Sequence, residues 1–329
     1  MIRLVATGGT IASLPDASGA VRPAVAPDDL IAGVPGLAEL GPVTVDDVAR
    51  VNGWNVAPET MLTVAERVQV ATDDEQVTGV IVTHGTDTVE ETAMLCDLVV
   101  ATDKPVVFAA AMRSGDEPAA DGPRNLLNAA HVATAPQARG LGVLLTLNDE
   151  IHAARWARKQ DSFRVSAFRS PGHGPVGLVT PGSVRIVARP PAVTPLPRPA
   201  ALDRQVALVH TFTGMSEGLI DAVLDVTGAA GLVLEGTGLG NVPGSAMPGI
   251  GSALDRGLPV VIATRVPTGG TRAVYGGPGG GVTLREMGVV QAGPLPAAKA
   301  RLLLMVLLAG GAEGADAAAA LAAHAQALV

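Results

Sequence analysis

Two short stretches set hydroxyl groups beside glycines at points where strands would end. Thr7-Gly8-Gly9-Thr10-Ile11-Ala12 follows Arg3-Leu4-Val5-Ala6, and His84-Gly85-Thr86-Asp87-Thr88 follows Gly79-Val80-Ile81-Val82. Short apolar runs of this kind read as buried strands, whereas Val89, Ala93, Leu95, Leu98 and Val99 recur at helical spacing. A turn from strand to helix sits at the carboxyl edge of a sheet, where open α/β sheets bind their ligands. Gly8 and Gly9 would let backbone approach a bound molecule closely, and amides in such a turn can stabilise an oxyanion. A threonine hydroxyl attacks a carbonyl only when a neighbouring base takes its proton. Both stretches therefore suit acyl transfer. They equally suit plain capping, because Asp87 and Thr88 stand where a helix N-cap belongs.

The elements around these turns alternate strand and helix. That pattern predicts a two-domain α/β fold with mostly parallel sheets and helices on both faces. A larger N-terminal domain is expected over residues 1–188 and a smaller C-terminal one over 204–329. Between them, Pro190, Pro191, Pro195, Pro197 and Pro199 make residues 189–203 a stiff, extended linker. In the first domain, residues 13–23 read as a loop and Pro27 opens a short helix. Strands are expected over 43–48, 105–109 and 141–146, helices from Pro58 and after Asp121-Gly122-Pro123-Arg124-Asn125, and a hairpin over Pro181-Gly182. Asn125 reads as a structural side chain bonding backbone in its turn. In the second domain strands fall at 206–209, 231–234 and 260–263, with helices over 217–226 and 245–256 and two more from Pro296 to Val329.

Composition closes off several functions. The 329 residues carry a net charge of −8 with no basic block, and aromatics are 2%, so nucleic acid finds neither an electrostatic footprint nor a stacking platform. A single cysteine, Cys96, allows no internal disulfide or cysteine metal cluster, and the histidines lack ligand spacing. Gly276–Gly281 lacks the Lys-Ser/Thr of a phosphate loop. The apolar run 302–309 is far short of the ~20 residues that cross a bilayer. Neither metal, cofactor nor membrane partner is implied. With a strand beginning at Ile2 and no room for a signal peptide, the cytoplasm is the expected compartment.

Taken together, Thr7-Gly8-Gly9-Thr10-Ile11-Ala12 and Gly79-x-Ile81-x-x-His84-Gly85-Thr86-Asp87-Thr88-Val89 resemble the two signatures of the bacterial-type asparaginase/glutaminase family, amidohydrolases with a threonine nucleophile. The resemblance implies that Thr10 attacks the amide and that Gly9 lies against the substrate. Counted from Asn148-Asp149, Lys159 falls where the family has its catalytic lysine. Thr86, Asp87 and Lys159 would then supply hydroxyl, carboxylate and amine, with Asp87 orienting the lysine or holding the substrate's α-ammonium. Taken alone, Lys159 reads equally as a solvated side chain beside Arg155 and Arg158. The family also implies a mobile flap over residues 13–23, and homodimers or homotetramers in which Asn241 is offered across a subunit contact.

Three positions depart from the family pattern. The flap has no tyrosine, the chain's only one being Tyr275, and Arg22 is expected to replace part of the missing contact to a substrate carboxylate. Gly53 and Trp54 stand where the family grips the substrate's carboxylate and amine. No acid follows Val266-Pro267-Thr268-Gly269 near Tyr275-Gly276. Loss of a charged contact of this kind is worth ~1.5–3 kcal/mol. L-asparagine is the expected substrate. Glutamine, D-asparagine or a larger amide stacked on Trp54 stays open, as does a non-catalytic amino-acid binding protein.

Overall fold

The computed structural model describes residues 1–181 and 183–328, in two units, Met1–Leu196 and Pro197–Val329. In the first, strand β1 (Ile2–Gly8) is followed by β2 (Ser13–Pro15), β3 (Val21–Pro23), helix α1 (Pro27–Ala32), β4 (Val43–Val51), α2 (Pro58–Asp73), β5 (Gly79–Thr83), α3 (Val89–Val99), β6 (Val106–Ala109) and α4 (Gly122–Thr134). Strands β7 (Val143–Leu147), β8 (Glu150–Ala153), β9 (Arg158–Lys159), β10 (Phe168–Arg169), β11 (Gly177–Thr180) and β12 (Ser183–Ile186) complete it. The hairpin was expected over Pro181-Gly182, and Gly182 lies outside the described residues.

One eight-stranded sheet has the order β12-β11-β8-β7-β6-β5-β1-β4. Its β7-β6-β5-β1-β4 half is parallel, and β8, β11 and β12 add antiparallel strands at one edge. Strands β5, β6 and β7 are buried along their whole length, as expected where both faces are covered. One face packs Ile2, Leu4, Ile81, Val107 and Leu144 against Leu126, Ala129, Ala130 and Ala133 of α4. The order holds the key to the site. From β1 the chain moves to β4 on one side, then returns past β1 to β5 and continues away through β6. The connections leaving β1 and β5 thus run in opposite directions and leave a crevice between their carboxyl ends.

Residues 13–23 form a hairpin, not the open loop expected. The Asp16 carboxylate gathers the backbone N–H groups of Ser18 and Ala20, the Ser18 hydroxyl and Arg22 Nε, so β2 and β3 pair in register. These bonds hold its acid well below the ordinary carboxylate range, at about 2. The proline-rich stretch begins fastened to the first unit. Arg155 donates to the Pro191 carbonyl and Leu196 N–H to that of Leu98.

The second unit is a four-stranded parallel sheet, β13 (Val206–His210), β14 (Gly231–Gly236), β15 (Val260–Thr264) and β16 (Val290–Gln291) in sequential order. Helices α5 (Leu219–Thr227), α6 (Met247–Asp255) and α7 (Gly281–Glu286) link them, and α8 (Ala297–Ala309) and α9 (Gly314–Ala327) close the chain. Helix α7 and strand β16 were not expected, being too short for a periodicity to emerge. Among the described residues no helix is long and apolar enough to cross a membrane.

Candidate active site

Three backbones meet in the crevice because three glycines allow it. A Cβ on Gly9 would lie 2.3 Å from Gly85 N, and one on Gly85 would lie 2.7 Å from Gly53 Cα. Gly9 itself has φ 79° and ψ 179°, a region essentially closed to other residues. The turns after β1 and β5 and the segment after β4 are thereby pressed together. Thr10 and Thr86, 76 positions apart, are each the next residue after one of these touching glycines. Thr7 Oγ donates to the Thr83 carbonyl at 2.7 Å, and Gly9 N–H to that of Val51 at 3.0 Å. That second bond occupies the Gly9 amide, so it is not the oxyanion donor the glycine turn suggested.

Lys159 reaches this crevice from β9. Its Nζ donates to Thr86 Oγ1 at 2.9 Å and to Asp87 Oδ1 at 2.6 Å. The lysine side chain is 19% exposed, against 45% for Asp87. The alternative of a solvated basic face therefore does not describe this side chain. Arg155 is also withdrawn from solvent, its guanidinium bonded to the buried Asp97 carboxylate at 2.8 and 3.2 Å. A further contact, to which sequence reasoning assigned no role, is made by Glu90. Its carboxylate accepts the Lys159 backbone N–H at 2.6 Å. No local signal marked it, because its partner lies 69 residues further along the chain.

Other residues take more local positions. Thr88 precedes α3 at the N-cap position but accepts no cap bond from its first turn, and its hydroxyl donates to the Gly53 carbonyl at 2.6 Å. Gly53 is buried, whereas Trp54 is 65% exposed. Arg22 is tied through Nε to Asp16. Asn125 holds backbone at both ends, donating to Ala110 O and accepting from Asn148 N–H. Asn241 belongs to the second unit, where its Oδ1 accepts from Gly281 N–H at 3.2 Å. His84 is fully buried, its Nδ1–H donating to Gly85 O and its Nε2 accepting from Thr92 Oγ1, both at 2.9 Å. Burial pushes the imidazole down to about 4, so it is neutral at pH 7. Among the described residues no group of three or more His, Cys, Asp or Glu stands close enough to share a metal ion.

A doubly wound α/β unit with threonine turns at its switch point, joined to a second parallel α/β unit, defines an amidohydrolase architecture, and comparison with known proteins agrees. Residues 1–192 match the family described as Asparaginase, N-terminal, and residues 205–321 match the Glutaminase/Asparaginase C-terminal domain. The "Probable L-asparaginase" of Deinococcus radiodurans is 39% identical over 326 residues, covering 96% of this chain and 95% of that protein. "L-asparaginase 2" of Escherichia coli is 33% identical, covering 93% and 88%. Among solved structures, a "Probable Cytoplasmic L-asparaginase" from Campylobacter jejuni superposes with a TM-score of 0.85 at 29% identity, covering 99% of this chain and 98% of that one. The chain belongs to the bacterial-type asparaginase/glutaminase family of amidohydrolases.

Proposed function

We propose that the protein hydrolyses L-asparagine to L-aspartate and ammonia through an acyl-enzyme on Thr10. The observation that carries the reading is the bond from Lys159 Nζ to Thr86 Oγ1 at 2.9 Å, across 73 residues of sequence, with Asp87 on the same nitrogen. A trio of hydroxyl, amine and carboxylate has no use in binding alone.

The Thr10 hydroxyl attacks the amide carbon, and its proton passes through neighbouring groups to the amide nitrogen. The tetrahedral adduct expels ammonia, and water then cleaves the threonine ester to return the hydroxyl and release aspartate. Lys159 in its ammonium form donates to both Thr86 and Asp87. In its neutral form the same contact makes it the base that takes a proton from Thr86 and returns it toward the departing nitrogen. Asp87 sets the direction of the amine and offers a carboxylate to the substrate's α-ammonium. Gly9, Gly53, Trp54 and Arg22 line or approach the substrate, Arg22 toward its carboxylate, and Asn241 serves a site shared between subunits. We further propose a cytoplasmic homodimer or homotetramer, a reading that sedimentation of the purified protein tests.

Ammonia release from L-asparagine tests the chemistry. Thr10→Ala and Lys159→Met should each lose at least the ~10²-fold typical of proton-transfer groups. Asparagine bound in a calorimeter with no ammonia formed by the wild type would instead favour a binding protein. A panel of glutamine, D-asparagine and larger amides tests the substrate.

A further inference from the structure

We infer that Glu90 is a positioning residue for Lys159, fixing the root of the lysine side chain whose tip Asp87 holds. The inference rests on the reading of Lys159 as the group that serves Thr86. Strand β9, which carries Lys159, is two residues long and, among the described residues, pairs only with the equally short β10. Hairpins so short are marginal by themselves. Something else must hold the lysine, and α3 together with the turn before it does so at three points.

At its far end α3 presents Asp97, which grips Arg155 in a buried ion pair. At its near end Glu90 takes the Lys159 amide, and just before the helix Asp87 takes the ammonium. Seven helical residues from Glu90 to Asp97 cover roughly 10 Å. The four residues from Arg155 to Lys159 reach at most ~13–14 Å when extended. The segment runs back along the helix, turning at 154–156, and is tethered to it at both ends.

A carboxylate bonded to a main-chain amide acts on the Cα position and leaves the side chain free to reach. Root, tip and target then refer to a single rigid body, since Thr86, Asp87 and Glu90 all belong to the turn and first coil of α3. Without Glu90 the four-carbon stem of Lys159 would still reach Asp87, but its Nζ would no longer be held to one distance from Thr86. Misplacement of reacting groups by about 1 Å is worth about 10²-fold in rate.

The experiment compares Glu90→Ala, Glu90→Gln and Lys159→Met in steady-state ammonia release from L-asparagine, with thermal melting of each. Glu90→Ala should lower kcat roughly 10- to 100-fold with KM changed by less than about threefold. Glu90→Gln keeps an oxygen that accepts the same N–H and should restore kcat to within about threefold of wild type. A Glu90→Ala kcat within about twofold of wild type would overturn the inference, as would a Glu90→Gln loss as deep as that of Glu90→Ala. If Glu90→Ala does not fold, Glu90→Asp decides. One methylene shorter, its carboxylate withdraws from the amide and kcat should fall with melting unchanged; a wild-type kcat there refutes the role. Lys159→Met separates the two layers. An active Lys159→Met removes the Lys159 reading itself, whereas an inactive Lys159→Met beside a normal Glu90→Ala removes only the role of Glu90.

Discussion

Gly9→Ala is the sharpest perturbation of the crevice. The added Cβ would lie 2.3 Å from Gly85 N, 2.5 Å from Gly85 Cα and 2.6 Å from His84 C, all of them backbone atoms that no rotamer change can move aside. Ordinary contact begins at 3.4 Å, so the two turns must separate by about 1 Å. Strain at φ 79°, ψ 179° adds ~1–3 kcal/mol, and overpacking adds another ~1–3 kcal/mol. The total, roughly 2–6 kcal/mol, corresponds to a fall in melting temperature of roughly 4–24 °C for a unit of this size. In the molecules that still fold, Thr10 has moved away from Thr86 and kcat should drop about 10²-fold. Gly228→Ala is the control: its φ is 60° and nothing lies within 4 Å, so it carries conformational strain without a clash. It should cost ~1–2 kcal/mol and leave kcat unchanged. Calorimetric melting and ammonia release read both effects. A Gly9→Ala protein no worse than Gly228→Ala in either measurement would refute the argument that glycine contacts hold the two threonines together.

Asp97→Ala would leave the Arg155 guanidinium buried without its carboxylate, and urea unfolding should show a loss of about 3–5 kcal/mol, largely recovered when Arg155→Met is added. His84 predicts an acid-labile fold: with its imidazole pushed down from 6.5 to about 4 in the folded state, the unfolded chain binds the extra proton first. Stability should therefore be full above pH 6.5 and decline as pH falls toward 4, by on the order of 3 kcal/mol from this group. Urea midpoints that show the same pH slope in wild type and His84→Gln would contradict this.

Much of the molecule could be read from its residues one stretch at a time. The runs at 2–8, 79–83 and 106–109 are apolar because parallel strands covered on both faces have no solvent side, and that pattern is local. Glycine and threonine at the strand ends marked the candidate turns for the same reason: a turn's chemistry lies within a few consecutive residues. Less was legible where a residue's role depends on a distant partner. Residues 13–23 have a loop's composition, but one carboxylate, Asp16, organises them into a hairpin and takes the Nε of Arg22. Thr88 looked like a helix cap, but it makes no side-chain cap bond, and its hydroxyl instead joins the segment after β4 through the Gly53 carbonyl.

Sequence by itself thus determined which side chains the molecule has for amide chemistry and on which strand ends and turns they stand. Tertiary structure decided which of them meet. No spacing along the chain could reveal that Gly9, Gly53 and Gly85 are in contact, that Arg155 is buried while Lys159 reaches Thr86, or that Glu90 holds the lysine's amide. Those relations arise from the order in which the strands are laid beside β1. Sheet order is settled by how helices pack over the whole sheet, a property of the assembled core that no single segment carries.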